Sequence, residues 1–330
     1  MSQPVSNAAS FAGFIDLAAE KIGGKALSAS DEFFAEKENL LKEGRGIFIP
    51  DKFTERGKWM DGWETRRKRT PGHDWCVLEL GLPGVIHGVD IDTNHFLGNN
   101  PAFASLDAAT SANGDWTEIL PKSPLNPGAQ NLFDISSSQP WTHLRLNIYP
   151  DGGVARFRVF GDVVKDWTKV AVDDVIDLAA LANGGKSVAC SDMFFSSMHN
   201  LLMPGRAANM GDGWETKRRR GLGYDWVIVK LGRPGVISQL EIDTNHFKGN
   251  FPDECSVDGC LAPDENIDIL TWNDIEWTQV MPRTKLQASH QHYFDRQLKH
   301  NGPFSHLKLN IFPDGGISRL RVLGVVAPGV

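Results

Sequence analysis

Apolar and polar residues alternate along several short stretches of the chain. In the stretch that begins at His143, the residues Leu144, Leu146 and Ile148 alternate with polar residues, which is the pattern of a β-strand with one buried and one polar face. The stretch that begins at Val154 repeats this pattern, and the sequence YPDGG between the two supplies proline and glycine for a turn. The alternation therefore predicts two strands that pair as a hairpin with one apolar face.

Other apolar runs are short and are separated by glycine and proline. The runs DWCVLELG, GVIHGVDID and WTEILP are of this kind, and such punctuation is typical of an antiparallel sandwich or barrel. Two segments have a helical pattern instead: IDLAAEKIGG, which ends at a glycine pair suited to a helix C-cap, and DEFFAEKENLL. The pattern as a whole predicts an all-β protein of two β-sandwich domains with minor helix.

The chain contains the same sequence twice. DGWETRRKR, from Asp61, is repeated as DGWETKRRR from Asp212, and HLRLNIYPDGG, from His143, is repeated as HLKLNIFPDGG from His306. Repeats of this length indicate a duplicated domain rather than a solenoid, whose units are much shorter. We predict a first repeat at residues 14–161, a linker at residues 162–174 and a second repeat at residues 175–324.

Composition and charge limit the classes of function. The chain has 330 residues, 41% of them hydrophobic, and a formal net charge of −7, so we expect no broad basic surface for nucleic acid or anionic lipid. The N-terminal sequence has no basic stretch before an apolar core, and no segment is long enough for a membrane span. The cysteines have neither the density of a disulfide scaffold nor C-x-x-C spacing, although a Cys255–Cys260 bridge stays open. We therefore expect a cytoplasmic protein with reduced thiols.

A run of cations follows each copy of GWET. Two interpretations are open: a solvated face held by salt bridges, or a clamp for a carboxylate, for which the planar guanidinium fork is suited. A locally cationic surface in an acidic protein favours a small anionic substrate over a polymer. The predicted hairpins add further cations on their polar faces, which are Arg145, Arg156, Arg158, Lys308, Arg319 and Arg321. The candidate substrate-binding residues of the two runs are Arg67, Arg69, Arg218 and Arg220.

Each half also contains the segment DTNHF. On an extended strand Asp92 and Asn94 face one way and His95 the other, so a single site can use all three only where the strand bends. Histidine and aspartate can transfer protons near neutral pH, and asparagine can bind a urea-like group. A polar strand end that satisfies loop backbone is the alternative. The candidates in the second half are the counterparts Asp243, Asn245 and His246.

The glutamate of each GWET copy is a further candidate. Glu64 and Glu215 lie beside the cationic runs, where a carboxylate is either a structural ion-pair partner or an acid–base group. The sequence contains no G-x-S-x-G, P-loop or G-x-G-x-x-G motif, so serine hydrolases, nucleoside triphosphatases and dinucleotide-binding enzymes have no support.

Histidines raise the question of a metal site. His95 with His143, and His246 with His306, could bind a metal together with the aspartate of DTNHF. The sequence HQH, at residues 290–292, places two imidazoles on one face of a strand but has no counterpart in the first half. No H-E-x-x-H or similar compact spacing occurs, so no metal ligand is assigned from the sequence.

Together these segments resemble the allantoicase family. The resemblance lies in MGDGWETKRRR, LGRPGVISQLEIDTNHFKGNFPDECS and HLKLNIFPDGGISRLRVLG, with weaker copies in the first half, and extends from about Phe14 to Gly324. It implies two tandem jelly-roll domains of the galactose-binding-like type. It also implies hydrolysis of allantoate to ureidoglycolate and urea in allantoin and purine catabolism, assembly as a homo-oligomer and some dependence on a divalent metal such as Mn²⁺. No catalytic residue is carried over from the resemblance.

The candidate residues can be given roles in that reaction. Allantoate has one carboxylate and two ureido groups, so its site needs a cationic clamp, groups that match amides and a proton donor for the departing urea. We predict that arginines of the cationic runs bind the carboxylate and that the Asp and Asn of DTNHF bind ureido groups. His95 or His246 transfers the proton, with the GWET glutamates as competitors, and His246→Ala should lower turnover greatly without unfolding the protein.

Two questions stay open at this level. Each half could hold its own site, or one site could use both halves, and the second half is the slightly favoured place to mutate. The competing function class is a glycan-binding module, because jelly rolls often bind sugars. The ten tryptophans, including Trp63, Trp75, Trp214 and Trp226, lie within alternating runs and fit core packing better than sugar stacking.

Overall fold

The protein consists of two compact units that divide between Val164 and Lys165. The computed structural model describes Phe11, residues 13–262 and residues 275–328. Within these ranges the regular structure consists of β-strands and short 3₁₀ turns, without an α-helix. The predicted all-β fold with two repeated domains is therefore confirmed.

The strands of the first unit are numbered in chain order. They are β1 (Ile15–Asp16), β2 (Lys25–Ala29), β3 (Phe53–Thr54), β4 (Gly57–Lys58), β5 (Trp63–Glu64), β6 (Asp74–Asp92), β7 (Phe103–Ala109), β8 (Thr117–Pro124), β9 (Leu132–Asp134), β10 (Pro140–Tyr149), β11 (Gly153–Val154) and β12 (Arg156–Val163).

The second unit repeats this arrangement in its described residues. Its strands are β13 (Ile176–Asp177), β14 (Lys186–Cys190), β15 (Trp214–Glu215), β16 (Asp225–Asp243), β17 (Glu254–Cys260), β18 (Thr278–Lys285), β19 (Gln291–Phe294), β20 (Phe304–Phe312), β21 (Gly316–Ile317) and β22 (Arg319–Val326).

One strand of 19 residues organises each domain. The first part of β6 pairs antiparallel with β10, and its last part, from Gly84 to Asp92, pairs antiparallel with β12. The hydrogen-bonded order is β1-β12-β6-β10-β7-β8, and β13-β22-β16-β20-β17-β18 in the second half. β6 and β16 therefore join the layers of their sandwiches, and the strand end at Asp92 lies beside β12.

The predicted pairing of the strands now numbered β10 and β12 as a hairpin is wrong. β10 and β12 pair with β6 and not with each other, and the turn between them leads into β11, which pairs with β5. Alternation shows which residues share a face of a strand, but the partner strand depends on long-range packing. The supposed polar face is also partly buried, because Arg156 is only 4% exposed and its counterpart Arg319 only 1%. These two arginines are not surface cations.

The two predicted helices are short 3₁₀ turns. The first covers Glu20–Ile22 and ends at Gly23, whose φ of 103° and N–H bond to the carbonyl of Glu20 match the predicted glycine cap. No longer helix forms, because the start of this segment pairs with β12 as β1. The second forms only at Lys37–Leu41.

Each domain packs around one fully buried tryptophan. Trp63 and Trp214 have no exposed surface, and each ring N–H donates to a backbone carbonyl at 2.8 Å, that of Asp31 or of Asp192. Burial of an indole with its N–H bonded is a large apolar gain without an unpaired donor. The predicted core role is confirmed for Trp63 and Trp214, whereas Trp75 and Trp226 are only partly buried.

The remaining whole-chain features concern membranes and thiols. No helix within the described residues has the length and apolar character that a membrane span requires. All four cysteines are free, so the Cys255–Cys260 bridge left open by the sequence is not formed. Burial raises the pKa of the Cys76 thiol to about 12, so it stays protonated at neutral pH.

Candidate active site

The DTNHF segment bends where β6 ends. His95 has a φ of 68°, a left-handed conformation that is uncommon for a residue other than glycine, and His246 has a φ of 71° in the second half. Asn94 Nδ2 and His95 Nε2 both donate to the carbonyl of Gly46, at 2.9 and 3.1 Å. The bend required by the sequence argument is therefore present in both halves, and it turns Asn94 and His95 toward the same backbone carbonyl.

A cavity of about 410 Å³ lies beside the end of β6 in the first domain. We call it the arginine–carboxylate cavity. β6 contributes two carboxylates, β12 contributes two arginines, and the loop after the 3₁₀ turn at Lys37–Leu41 contributes a third arginine. Its main polar side chains are Asp90, Asp92, Arg156, Arg158, Arg45 and Gln130.

Arg45 is the exposed cation of this cavity. Its Nε and Nη2 donate to the two carboxylate oxygens of Asp92, each at 3.0 Å. Asp92 is 2% exposed, and its Oδ1 also accepts from the backbone N–H of Asn94 at 2.9 Å. A guanidinium has five N–H donors, so the bidentate pair fixes the plane of Arg45 and leaves three donors for a ligand.

Asp90 is the most unusual group in the cavity. Its side chain is 2% exposed, Oδ2 accepts from Gln130 Nε2 at 2.7 Å, and Oδ1 is buried without a hydrogen-bond partner. Burial raises the pKa of this carboxyl to about 6, because the charged form is poorly solvated, and the nearby Asp92 acts in the same direction. Such a pKa suits proton transfer near neutral pH. The sequence analysis missed Asp90.

The raised pKa gives a prediction for stability. Since the folded-state pKa of Asp90 lies above the unfolded value, its ionisation destabilises the fold as pH rises from about 4 through 6. Asp90→Asn removes that charge and should raise the free energy of unfolding by about 3 kcal/mol at pH 8, with no gain below pH 4. Denaturant titrations of both proteins at the two pH values test this. An unchanged or lower stability of the variant at pH 8 would contradict it.

A second cavity, of about 350 Å³, brings together Glu64 and His95. We call it the Glu64 cavity, and Lys58, Phe48 and Asn99 also line it. Asn99 Nδ2 donates to Glu64 Oε1 at 2.6 Å, and burial raises the pKa of Glu64. His95 Nε2–H bonds to Gly46, so Nδ1 is the nitrogen left for a ligand. More apolar residues line this cavity than the first, namely Phe34, Phe48, Met60 and Leu97 against Phe160.

The cationic runs lie outside both cavities. Arg66 pairs with Asp31 and Lys68 with Asp74, each at 2.7 Å, and Lys217 and Arg219 form the matching pairs with Asp192 and Asp225. The alternate residues are exposed, and none lines either cavity: Arg67, Arg69, Arg218 and Arg220. The structure thus supports the salt-bridged face for half of each run. Their predicted role as carboxylate clamps stays a prediction.

The second half holds the same groups in a different arrangement. Arg206 Nη1 bonds to both Glu241 and Asp243, and its Nη2 donates to the hydroxyl of Tyr293 at 3.4 Å. The backbone N–H of Asn245 donates to Asp243 Oδ1 at 2.7 Å. His246 Nε2 donates to the carbonyl of Ala207 at 2.8 Å, and Asn250 Nδ2 donates to Glu215 Oε1. Asp243, Asn245, His246 and Glu215 thus each have a hydrogen-bond partner within the second half.

The described residues do not fit a divalent-metal centre. No group of three or more His, Cys, Asp or Glu side chains in the described ranges is placed to hold an ion. Arg45 and the Asn94 N–H occupy the oxygens of Asp92. In the HQH sequence, His292 Nε2 accepts from the backbone of Gln287 and Nδ1 donates to Ile242, so neither nitrogen is left for a metal. No catalytic step is therefore assigned to a metal.

The fold and the first-domain site together define a class of protein: a duplicated β-sandwich with a polar cavity suited to a small, carboxylate-bearing molecule. Residues 15–164 and 176–327 match the family model described as the allantoicase repeat. The chain therefore belongs to the allantoicase family.

Individual relatives are similar over nearly their whole length. The chain is 49% identical over 322 residues to a probable allantoicase of Pseudomonas paraeruginosa, covering 96% of this chain and 97% of the relative. It is 48% identical over 326 residues to a probable allantoicase of Pseudomonas syringae, covering 97% and 98%. The crystal structure of allantoicase from Saccharomyces cerevisiae is similar with a TM-score of 0.78 at 36% identity, covering 94% of this chain and 92% of that one.

Proposed function

We propose that this protein hydrolyses allantoate to ureidoglycolate and urea, and that the reaction takes place in the arginine–carboxylate cavity. Family membership over almost the whole chain supports the reaction. The observation that supports the site is the fixed guanidinium of Arg45 beside Asp90, whose buried Oδ1 has no partner. The Glu64 cavity is smaller and lined by more apolar groups, which fit a densely polar ureide less well.

The cavity supplies the three kinds of group that allantoate requires. The free N–H donors of Arg45 bind the substrate carboxylate in the forked geometry typical of arginine–carboxylate pairs. Gln130, which donates to Asp90, and Asp90 itself offer a donor and an acceptor for a ureido group. Buried Arg156 and half-buried Arg158 offset part of the negative charge of the acids that line the cavity.

The net reaction exchanges one bond at the central carbon of allantoate. The C–N bond to one ureido nitrogen breaks, a C–O bond to water forms, and one proton of that water ends on the nitrogen of the departing urea. A carboxyl group with a pKa of about 6 can accept a proton at neutral pH and return it to the leaving group. Orientation by Arg45 and proton transfer are the two contributions required of the protein.

The direct test is urea release from allantoate by the purified protein, with and without a chelator and with added Mn²⁺. Equal amounts of urea and ureidoglycolate support the proposal. Folded protein that releases no urea under any of these conditions would refute it. A response to chelator or Mn²⁺ would show a metal dependence that the described residues do not account for, whereas an unchanged rate would remove the metal expected from the family resemblance.

The predicted histidine role can be separated from this proposal. His95 lines the Glu64 cavity and bonds to the backbone at Gly46, so we expect His95→Ala to keep turnover within about tenfold. Glu64→Gln serves as the companion variant in the same cavity. A loss of 100-fold or more in either folded variant would place the proton transfer in the Glu64 cavity.

We also propose that the protein is a cytoplasmic homo-oligomer. Free thiols at all four cysteines support a reducing compartment. Exposed apolar side chains in the second half support contacts between copies, because Phe194, Phe195 and Leu222 are 69%, 62% and 101% exposed. Light scattering of the purified protein during size-exclusion chromatography would show an oligomer, and a mass of one chain would exclude it.

A further inference from the structure

Among the positions at which the two long strands differ, one pair is acidic in both halves, Asp90 and Glu241. Asp90 and Glu241 each lie two residues before the end of a strand of 19 residues, β6 or β16. Both face the same partner in register, since Asp90 is opposite Arg158 on β12 and Glu241 is opposite Arg321 on β22. The acidic group is thus retained in both halves, but its side chain differs by one methylene.

The hydrogen bonds of the Asp90 carboxyl group also differ from those of the longer Glu241. In the second half, Arg206 bonds to Glu241 and Asp243 together, and Tyr293 adds a third contact to the same guanidinium. In the first half, both side-chain hydrogen bonds of Arg45 go to Asp92. The residue paired with Asp90 on the neighbouring strand is Leu132, whereas the residue paired with Glu241 is Tyr293. The shorter Asp90 interacts with Gln130 and with the backbone N–H of Asn131, and its Oδ1 is buried.

An unpaired, buried carboxyl oxygen is unfavourable, and a carboxyl group of this kind is more frequent at functional sites than elsewhere. The first half contains a second buried polar atom without a hydrogen-bond partner, the Nε–H donor of Arg156. The side chain of Arg156 lines the same cavity as Asp90. One orphaned acceptor and one orphaned donor in a single cavity match the N–H and C=O of a ureido group. Neither Glu241 nor Arg319 has such an atom in the described part of the second half.

We infer that each chain has one catalytic centre of this kind, in the first half, with Asp90 as its proton-transferring residue, and that the second-half copy has become structural through the pairing of Glu241 with Arg206. This inference rests on the proposed function. It also explains why both halves have an acidic residue at this position: Asp90 transfers the proton, and Glu241 binds Arg206.

Charged groups from several elements act on Asp90. Those that line the same cavity are Asp16 on β1, Glu43 and Arg45 in the following segment, Asp92 on β6 itself, and Arg156 and Arg158 on β12. The acids and arginines nearly balance, so burial dominates the titration of Asp90. As a base in the rate-limiting proton transfer, Asp90 should give kcat/KM a limb that falls below pH 6.

The test compares matched variants of the two positions in the full chain. Asp90→Asn should lower kcat by about 100- to 10,000-fold and abolish the acidic limb of the pH profile. Asp90→Glu, which imports the second-half residue, should lower kcat by at least about 100-fold despite keeping a carboxyl, because the longer side chain reaches Arg45. Glu241→Gln and Glu241→Asp should keep kcat and the pH profile of the parent within about threefold.

The outcomes separate this inference from the proposed function. No urea from the parent protein would refute the function itself. An active parent with an equally active Asp90→Asn variant would refute the role of Asp90, and a loss in Glu241→Gln as large as that in Asp90→Asn would refute the single centre. Circular dichroism and thermal melting establish that each variant is folded, and Asp90→Asn is expected to be more stable than the parent at pH 8.

Discussion

Replacing Arg45 with methionine is expected to lower kcat/KM for allantoate by about 100- to 1,000-fold. Two charge-assisted hydrogen bonds to a carboxylate contribute roughly 3 to 4 kcal/mol, and each 1.4 kcal/mol changes the ratio tenfold. The bidentate bond to Asp92 holds the guanidinium plane before substrate arrives, so little ordering remains when it binds. If Arg45 holds the carboxylate equally in ground and transition states, the loss appears mainly in KM.

Arg206→Met is the matched control for this prediction. Arg206 also bonds to a fully buried aspartate, Asp243, so both variants leave a carboxylate without its arginine. Steady-state kinetics should show kcat/KM within about threefold of the parent for Arg206→Met. Equal losses in the two variants would mean that the effect arises from structure and not from substrate binding, and an unchanged Arg45→Met would exclude Arg45 as the clamp.

Replacing Arg156 with methionine is expected to destabilise the first domain by about 3 to 5 kcal/mol, the range for removing one partner of a buried ion pair. Arg156 is 4% exposed, and its Nη2 bonds to Asp61 Oδ2 at 2.7 Å. Its Nη1 donates to the carbonyls of Asp61 and Ala155 at 3.1 and 2.7 Å. Loss of the guanidinium leaves a buried carboxylate and two carbonyls without these donors.

Guanidinium denaturation of the parent and the variant measures this effect. Arg319→Met should show a similar loss in the second domain, because Arg319 makes the same bonds to Asp212 and Ser318. The double variant Arg156→Met with Asp61→Leu should lose less than the two single variants added together, since no unpaired charge remains. A loss below about 1 kcal/mol in Arg156→Met would show that solvent reaches this pair and would contradict the buried assignment.

The framework was predictable because it depends on local patterns that occur twice. Strand alternation, the glycine cap at Gly23 and the tryptophans of GWET are set by residues close together in sequence. The pairing of β10 and β12 with β6 was not predictable from local patterns. β6 is one strand of 19 residues that pairs first with β10 and then with β12. The short turn between β10 and β12 suggested that these strands pair with each other, but both pair with β6 instead.

The site was predictable only in part. The bend at His95 follows from the repeated DTNHF segment, and Asp92 was found by its repetition. Asp90 was missed because VDID is an ordinary alternating strand sequence. Its unpaired state depends on Arg45, which lies 45 residues earlier in a loop. One available signal was the change from Asp90 to Glu241 beside the shared Ile-Asp that ends both strands. The cationic runs were conspicuous in sequence, but acids from other segments, such as Asp31, neutralise half of them.

In the proposed complex allantoate binds in the first-half cavity, with its carboxylate on Arg45 and a ureido group at Asp90. The most direct measurement is a crystal structure of the Asp90→Asn variant with allantoate, which the variant should bind without converting. We expect one allantoate per chain in the arginine–carboxylate cavity, with its carboxylate on the free N–H groups of Arg45. Allantoate in the Glu64 cavity, or at Arg206 in the second half, would contradict it.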